Sequence, residues 1–275
     1  MQKILITGCS SGIGLTTALT LQNLGWQVIA VIRDTKDAPQ LEERGIIVKY
    51  CDQTDPQQIE KLFNDPEIQT IDAVFLNAGY GFVSASEDTD PEQLRQLLNC
   101  NLVGTWDYFN RCVKIFRAKG QGRILITSSI VSFVAAPFRS AYGASKAGLD
   151  VMVKTFRIEN DNPKIQVSLI NPGPVISNFR QRALKEYQAS QTSRTNSHLK
   201  EQYLEQEKRL ENKDRKHFTS TPEDIAQVVV KALNSKKQKV HYLVGIPTHF
   251  MWYLQKFIPE TWVEKFIRKT YKFEK

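Results

Sequence analysis

Short apolar runs rich in β-branched residues alternate along this chain with stretches of helical periodicity, and that alternation is the strongest constraint on its fold. Residues 3–7, 27–32, 46–50, 71–76, 123–127 and 165–170 read as strands, with 240–244 as a seventh. Helix starts are marked between them. Asp55-Pro56, Asp90-Pro91 and Thr221-Pro222 each put a capping side chain just ahead of a proline at the first helical position. Strand–helix–strand repeats imply right-handed crossovers and a parallel sheet. The predicted class is α/β, a doubly wound, mostly parallel sheet with helices on both faces. The 275 residues suffice for one large domain spanning 1–275.

Ligands on such a sheet bind outside the carboxyl ends of its strands, and the chemically informative residues sit at those ends. The first strand runs into Gly8-Cys9-Ser10-Ser11-Gly12-Ile13-Gly14 and then a helical pattern. Glycines there let the backbone approach a pyrophosphate, and the helix N-terminus offers amide donors; a tight strand-to-helix connection is the plainer reading. The second strand ends in Arg33-Asp34. An acidic residue at this place accepts from an adenosine ribose, whereas an arginine pairs with a 2′-phosphate. Arg33 comes first, which favours NADP(H) over NAD(H); a solvated charge pair is the alternative. The third strand ends in Cys51-Asp52, the fourth in Asn77-Ala78-Gly79, and the sixth in Asn171-Pro172-Gly173-Pro174.

Acid–base chemistry is concentrated in 127–146. Tyr142 and Lys146 are four residues apart, so on a helix they share a face. A phenol with an ordinary pKa of about 10 is a poor catalyst at neutral pH. An ammonium one turn away stabilises phenolate and is expected to lower that value. Ser129, at the tip of the fifth strand, can donate to a carbonyl while the tyrosine delivers the proton. Asn101 lies inside a helical stretch from 91 to about 117, where its propensity is poor, and a buried hydrogen-bonded amide would explain it.

Taken in order, TGCSSGIG (7–14), Asp52, NAG (77–79), NLVG (101–104), Ser129, YGASK (142–146) and NPGPVIS (171–177) resemble the short-chain dehydrogenase/reductase family over about two thirds of the chain. The resemblance implies a seven-stranded sheet, a nicotinamide cofactor and an Asn-Ser-Tyr-Lys tetrad. By it, Tyr142 is the acid–base, and Lys146 holds the ribose and lowers the Tyr142 pKa. Ser129 orients the carbonyl, and Asn101 anchors a water in a proton relay. Asp52 meets the adenine, Asn77 the adenosine-side ribose region, and the Val175 backbone and Ser177 the nicotinamide amide. Arg33 resembles the NADP-preferring members, although Ser11 stands where some of them carry a basic residue. NAGYGF (77–82) and VIRD (31–34) resemble the hydroxysteroid/retinol dehydrogenase-like branch, whose members act on apolar alcohols and ketones. A homo-oligomer through the helices after the fourth and fifth strands is likewise implied.

The remainder is less patterned. Residues 178–217 form a highly polar insert, read as a substrate lid, with a solvated helix expected over 201–210 and Glu201 and Glu205 opposed by Lys208 and Arg209. Residues 248–275 form a basic amphipathic extension. Phe250, Met251, Leu254, Phe257 and Ile258 make one apolar stripe, and Trp262, Val263, Phe266 and Ile267 a second. Packing on the core or pocket is the first expectation for this tail, peripheral membrane contact the second, and nucleic-acid binding is not expected. No apolar run is long enough to span a bilayer, Cys9, Cys51, Cys100 and Cys112 form no CxxC pair, and no metal site is expected. The chain starts directly into a strand, so a cytoplasmic protein with reduced thiols is expected. Three functions follow: an NADP(H)-dependent oxidoreductase acting on a hydrophobic carbonyl or alcohol, a β-ketoacyl-thioester reductase, or a non-catalytic NADP-binding sensor or scaffold. All four tetrad residues are present, which favours an enzyme.

Overall fold

The computed structural model describes residues 1–176, 187, 197–211, 218–271 and 273. Seven strands make one parallel sheet: β1 (Lys3–Thr7), β2 (Gln27–Ile32), β3 (Ile47–Tyr50), β4 (Ala73–Leu76), β5 (Gly122–Thr127), β6 (Ile165–Pro172) and β7 (His241–Val244). Their order is β3-β2-β1-β4-β5-β6-β7. The central strands are covered on both faces, which is why they are apolar at consecutive positions instead of alternating.

One face of the sheet is covered by α1 (Gly12–Asn23), α2 (Pro39–Glu42) and α8 (Pro222–Asn234), through Ala18, Leu21, Leu41, Ile225 and Val229. The other is covered by α3 (Pro56–Phe63), α5 (Thr105–Lys119) and α6 (Ser140–Glu159), through Ile59, Phe109, Phe116, Leu149 and Val153. The signalled caps form. Asp55 accepts from the amides of Gln57 and Gln58, Asp90 from that of Glu92, and Thr221 and Asp224 close a reciprocal capping box. After β3 the chain returns to the opposite side of β1 to lay down β4. This reversal opens a crevice between the carboxyl ends of β1 and β4.

The stretch expected as one helix from 91 to 117 is instead three pieces: α4 (Pro91–Leu98), a π turn (Asn99–Gly104) and α5. Gly104 explains the close approach here, because a Cβ on it would lie 2.1 Å from the Gln53 carbonyl oxygen. The wider turn carries Asn101 inward until it is fully buried.

Helix α7 (Lys200–Glu211) corrects the reading of a solvated helix over 201–210. Tyr203 and Gln206 are buried. The Tyr203 hydroxyl donates to Asp88 Oδ2 at 2.9 Å and accepts from the Ala85 amide at 2.8 Å, and its ring packs edge-on to Phe138. The helix is therefore docked by one aromatic anchor. Its ion pair joins Lys208 to Glu205 at 3.6 Å, while Arg209 donates to the Thr270 carbonyl. Most of the 178–217 insert lies outside the described residues.

The tail folds as α9 (Ile246–Phe257) and α10 (Glu260–Thr270). Core packing holds for only part of each apolar stripe. Met251 and Val263 are buried, whereas Phe250, Phe257, Trp262 and Phe266 remain exposed.

Candidate active site

A cleft of about 1810 Å³ lies over the carboxyl ends of the strands. The glycine turn forms one end of it. Gly8 and Gly12 adopt φ of +74° and +58°, where L side chains are strained. A Cβ on Gly14 would sit 2.1 Å from the Gly8 carbonyl oxygen. Ser11 precedes α1 with extended backbone and no side-chain cap, and the first turn carries no acidic residue. Ser10, Ser11 and Ile13 line the cleft beside these glycines. Uncapped amides, a backbone that tolerates no side chain and no opposing carboxylate fit the phosphates of a dinucleotide.

Arg33, Asp34, Lys36 and Asp52 line the adjoining rim. Asp34 is committed locally, accepting from the Lys36 amide and pairing with its ammonium at 2.7 Å. Those contacts hold its carboxyl below the usual range. Arg33 is largely exposed and reaches Asp52 at 3.8 Å, and Asp52 accepts from the amide and hydroxyl of Thr54. Lys36 is a rim cation that strand-end reasoning missed, because it lies in the turn beyond β2.

Asn77, Ala78 and Gly79 tie three strand tips together. The amides of Asn77 and Ala78 both donate to Thr7 Oγ1, and Thr127 Oγ1 donates to Asn77 Oδ1 at 3.1 Å. Behind Gly79, Asn101 Oδ1 accepts from the Tyr80 amide at 3.0 Å, and its Nδ2 donates to the Tyr80 carbonyl at 2.7 Å and to Ser145 Oγ at 3.3 Å. The Asn101 side chain thus clamps the loop after β4 to α6. Asn101→Ala is expected to lower stability by about 2 kcal/mol, since it strands buried polar partners. Urea unfolding within 0.5 kcal/mol of the parent, the spread of ordinary surface substitutions, would show that the clamp carries nothing.

Ser129, Tyr142 and Lys146 meet in the middle of the cleft. Ser129 comes from the end of β5, and the other two from adjacent turns of α6. Burial pushes the Tyr142 phenol up to about 12, against smaller lowering influences from a hydrogen bond with Ser129 and the charge of Arg139. Lys146 is pulled down to about 8, again by burial. Its Nζ donates to the Thr127 carbonyl at 2.8 Å and stands 5.7 Å from the centre of the Tyr142 ring. The expectation that Lys146 lowers the Tyr142 pKa is therefore not met in the protein by itself. The ammonium faces the Thr127 carbonyl, and burial is the largest influence on the phenol.

Beneath these residues lies a polar layer of which the sequence singled out only Asn171. Asp150 accepts from Ser128 Oγ and, at 2.7 Å, from Ser132 Oγ, with its carboxyl raised chiefly by burial. Asn171, fully buried, donates to the Ser129 carbonyl at 3.4 Å and meets His241 Nδ1 at 3.0 Å. Together they brace the Ser128–Ser132 turn from two sides. Pro172, Gly173 and Val175 line the far end of the cleft. The Gly173 amide donates to the Val244 carbonyl, and Val175 bridges to Ser220. Ser177 lies outside the described residues.

A sequence model of the family described as short chain dehydrogenase matches residues 2–188. The chain belongs to the short-chain dehydrogenase/reductase family. Members are oxidoreductases that bind a nicotinamide cofactor, in keeping with the glycine turn. The uncharacterized oxidoreductase YbbO of Escherichia coli is 30% identical over 273 residues, covering 98% of this chain and 95% of the relative. Human 17-beta-hydroxysteroid dehydrogenase type 1 is 27% identical over 253 residues, 87% of this chain and 76% of the relative. Among solved structures, a short-chain dehydrogenase from Streptomyces avermitilis has a TM-score of 0.73 at 21% identity, covering 92% of this chain and 90% of its own.

Proposed function

We propose that this short-chain dehydrogenase/reductase is an NADP(H)-dependent enzyme that interconverts a carbonyl and an alcohol on a hydrophobic substrate. The observation that carries this reading is a single cleft lined by the glycine turn, by Ser129, Tyr142 and Lys146, and by an apolar wall that includes Leu210, Phe250, Met251 and Phe266. When bound along the glycine turn, the nicotinamide cofactor supplies or accepts the hydride. Ser129 donates a hydrogen bond to the substrate oxygen, and Tyr142 hands it a proton during reduction and removes one during oxidation. Lys146 holds positive charge where phenolate develops, and Asp150 and Asn171 fix the turn that carries Ser129. The apolar wall supports a lipid-like substrate, as does similarity to a steroid dehydrogenase.

Arg33 and Lys36 on the rim, with Asp34 already occupied, support a 2′-phosphate there. Arg33→Asp is expected to move the ratio of kcat/KM with NADPH to that with NADH by about a hundredfold toward NADH, as loss of a charge-assisted contact plus a new repulsion would. An unchanged ratio removes the phosphate assignment. The reaction itself is tested by following NADPH oxidation with apolar ketones, aldehydes and β-ketoacyl thioesters, with NADH run alongside. Turnover of a free lipidic carbonyl is expected; turnover confined to thioesters would replace this reading with an acyl-thioester reductase.

A further inference from the structure

Helices α9 and α10 carry an apolar surface that stays exposed among the described residues. On α9, Ile246, Phe250, Tyr253 and Phe257 recur at helical spacing and all are exposed, Phe257 to 83%. The helix is firmly seated by its other side. Thr248 and Met251 are buried, and Trp252 packs on both His241 and Phe133. The exposed row borders an open groove of about 780 Å³. On α10, Val263 is the buried contact, while Trp262, 67% exposed, and Phe266 one turn later face outward. Phe250 and Phe266 both line the cleft and both are exposed, so the two rows meet at the mouth of the cleft.

Charge indicates what covers this surface. Between them α9 and α10 carry four basic residues, Lys256, Lys265, Arg268 and Lys269, against two acidic ones, Glu260 and Glu264. Lys265 and Lys269 share the outward side of α10 with Trp262 and Phe266, and Lys256 lies over the Trp252 ring at 4.7 Å. A two-fold pairing with a second copy would set these cations against themselves. An anionic lipid surface matches both features: it accepts aromatic side chains at its interface and gains from each lysine held near it. No helix among the described residues is long and apolar enough to cross a membrane, so the contact is peripheral.

We infer that α9 and α10 dock this protein on an anionic bilayer surface, with the mouth of the cleft turned toward the lipid. Docking stands on the surface alone; that it also admits lipid-dissolved substrate rests on the function proposed above.

Full-length protein is centrifuged with vesicles of phosphatidylcholine, with and without phosphatidylglycerol. Binding is expected only with the anionic lipid, weakening steeply as salt rises, with a blue shift of tryptophan emission. Phe257→Glu/Trp262→Glu and, separately, Lys265→Glu/Lys269→Glu should each weaken vesicle binding at least about tenfold while turnover of a soluble substrate is unchanged. Neither pair lines the cleft, so activity and docking fail separately. Equal binding to neutral vesicles, no binding, or unaffected binding by both variants overturns the inference. So does a dimer in analytical ultracentrifugation that Phe257→Glu dissociates, which would make a second copy the occupant.

Discussion

Tyr142→Phe lowers turnover about a thousandfold while cofactor affinity changes by less than about threefold. The magnitude is that of a general acid removed from its transition state, on the order of 4 kcal/mol of barrier. The substitution keeps the ring against α6 and deletes only the hydroxyl that hydrogen-bonds with Ser129. Binding should survive because the glycine turn, the Asn77-Ala78-Gly79 corner and the Arg33 rim hold their shape through other contacts. With burial holding the phenol up to about 12, it stays protonated throughout the neutral range, so it is ready to donate in reduction. In alcohol oxidation it must first release that proton, and the rate should climb with pH. The measurements are steady-state NADPH oxidation and fluorescence titration of NADPH on both proteins. Turnover of the variant within tenfold of the parent would remove Tyr142 as the proton donor. Matched losses of turnover and cofactor affinity would give it a binding role instead.

How much of this was legible beforehand depended on how local the physics was. Strands, caps and the glycine turn were readable because each rests on adjacent residues: consecutive apolar side chains buried on both faces, Asp55 or Asp90 before a proline, Gly8 and Gly12 at positive φ. Ser129, Tyr142 and Lys146 were readable from strand ends and helical spacing. What could not be read is set by residues far apart in sequence. The π turn follows from Gly104 meeting the Gln53 carbonyl and from Asn101 finding the Tyr80 backbone. Tyr203 turns a polar helix into a docked one through Ala85 and Asp88, more than a hundred residues away. Phe138 is buried against it at a positive φ of 63°, a strain that aromatic burial offsets and that no local signal announces. Asp150, one turn beyond Lys146, is an unremarked helical acid until Ser128 and Ser132 are placed above it.

The same burial that shapes the site should be measurable as an instability that Lys146→Met relieves in a pH-dependent way. In the folded chain Lys146 titrates at about 8, against 10.5 ordinarily, because its ammonium is desolvated. Below pH 8 the residue is charged in both states and the full burial penalty weighs on the fold. Between 8 and 10.5 the unfolded chain keeps a proton that the folded chain has lost, so this group makes stability rise with pH. The rise is on the order of 3 kcal/mol. Other buried groups pull the opposite way. Tyr142 and the buried thiols of Cys9 and Cys112 have raised values, so each withdraws stability as pH climbs through its ordinary range. Comparing the parent with Lys146→Met cancels those contributions, and the loss of the bond to the Thr127 carbonyl enters the difference only as an offset. Urea unfolding at pH 7.5, 9 and 10.5 should show the variant gaining most, relative to the parent, at the lowest pH, and that advantage should shrink by about 3 kcal/mol at the highest. Turnover of the variant should fall at every pH. Parallel stability curves would mean that the ammonium is not desolvated, and that the Lys146 charge is screened where Tyr142 needs it. A shrinking advantage with turnover lost would identify Lys146 as a residue whose destabilising burial is retained for chemistry.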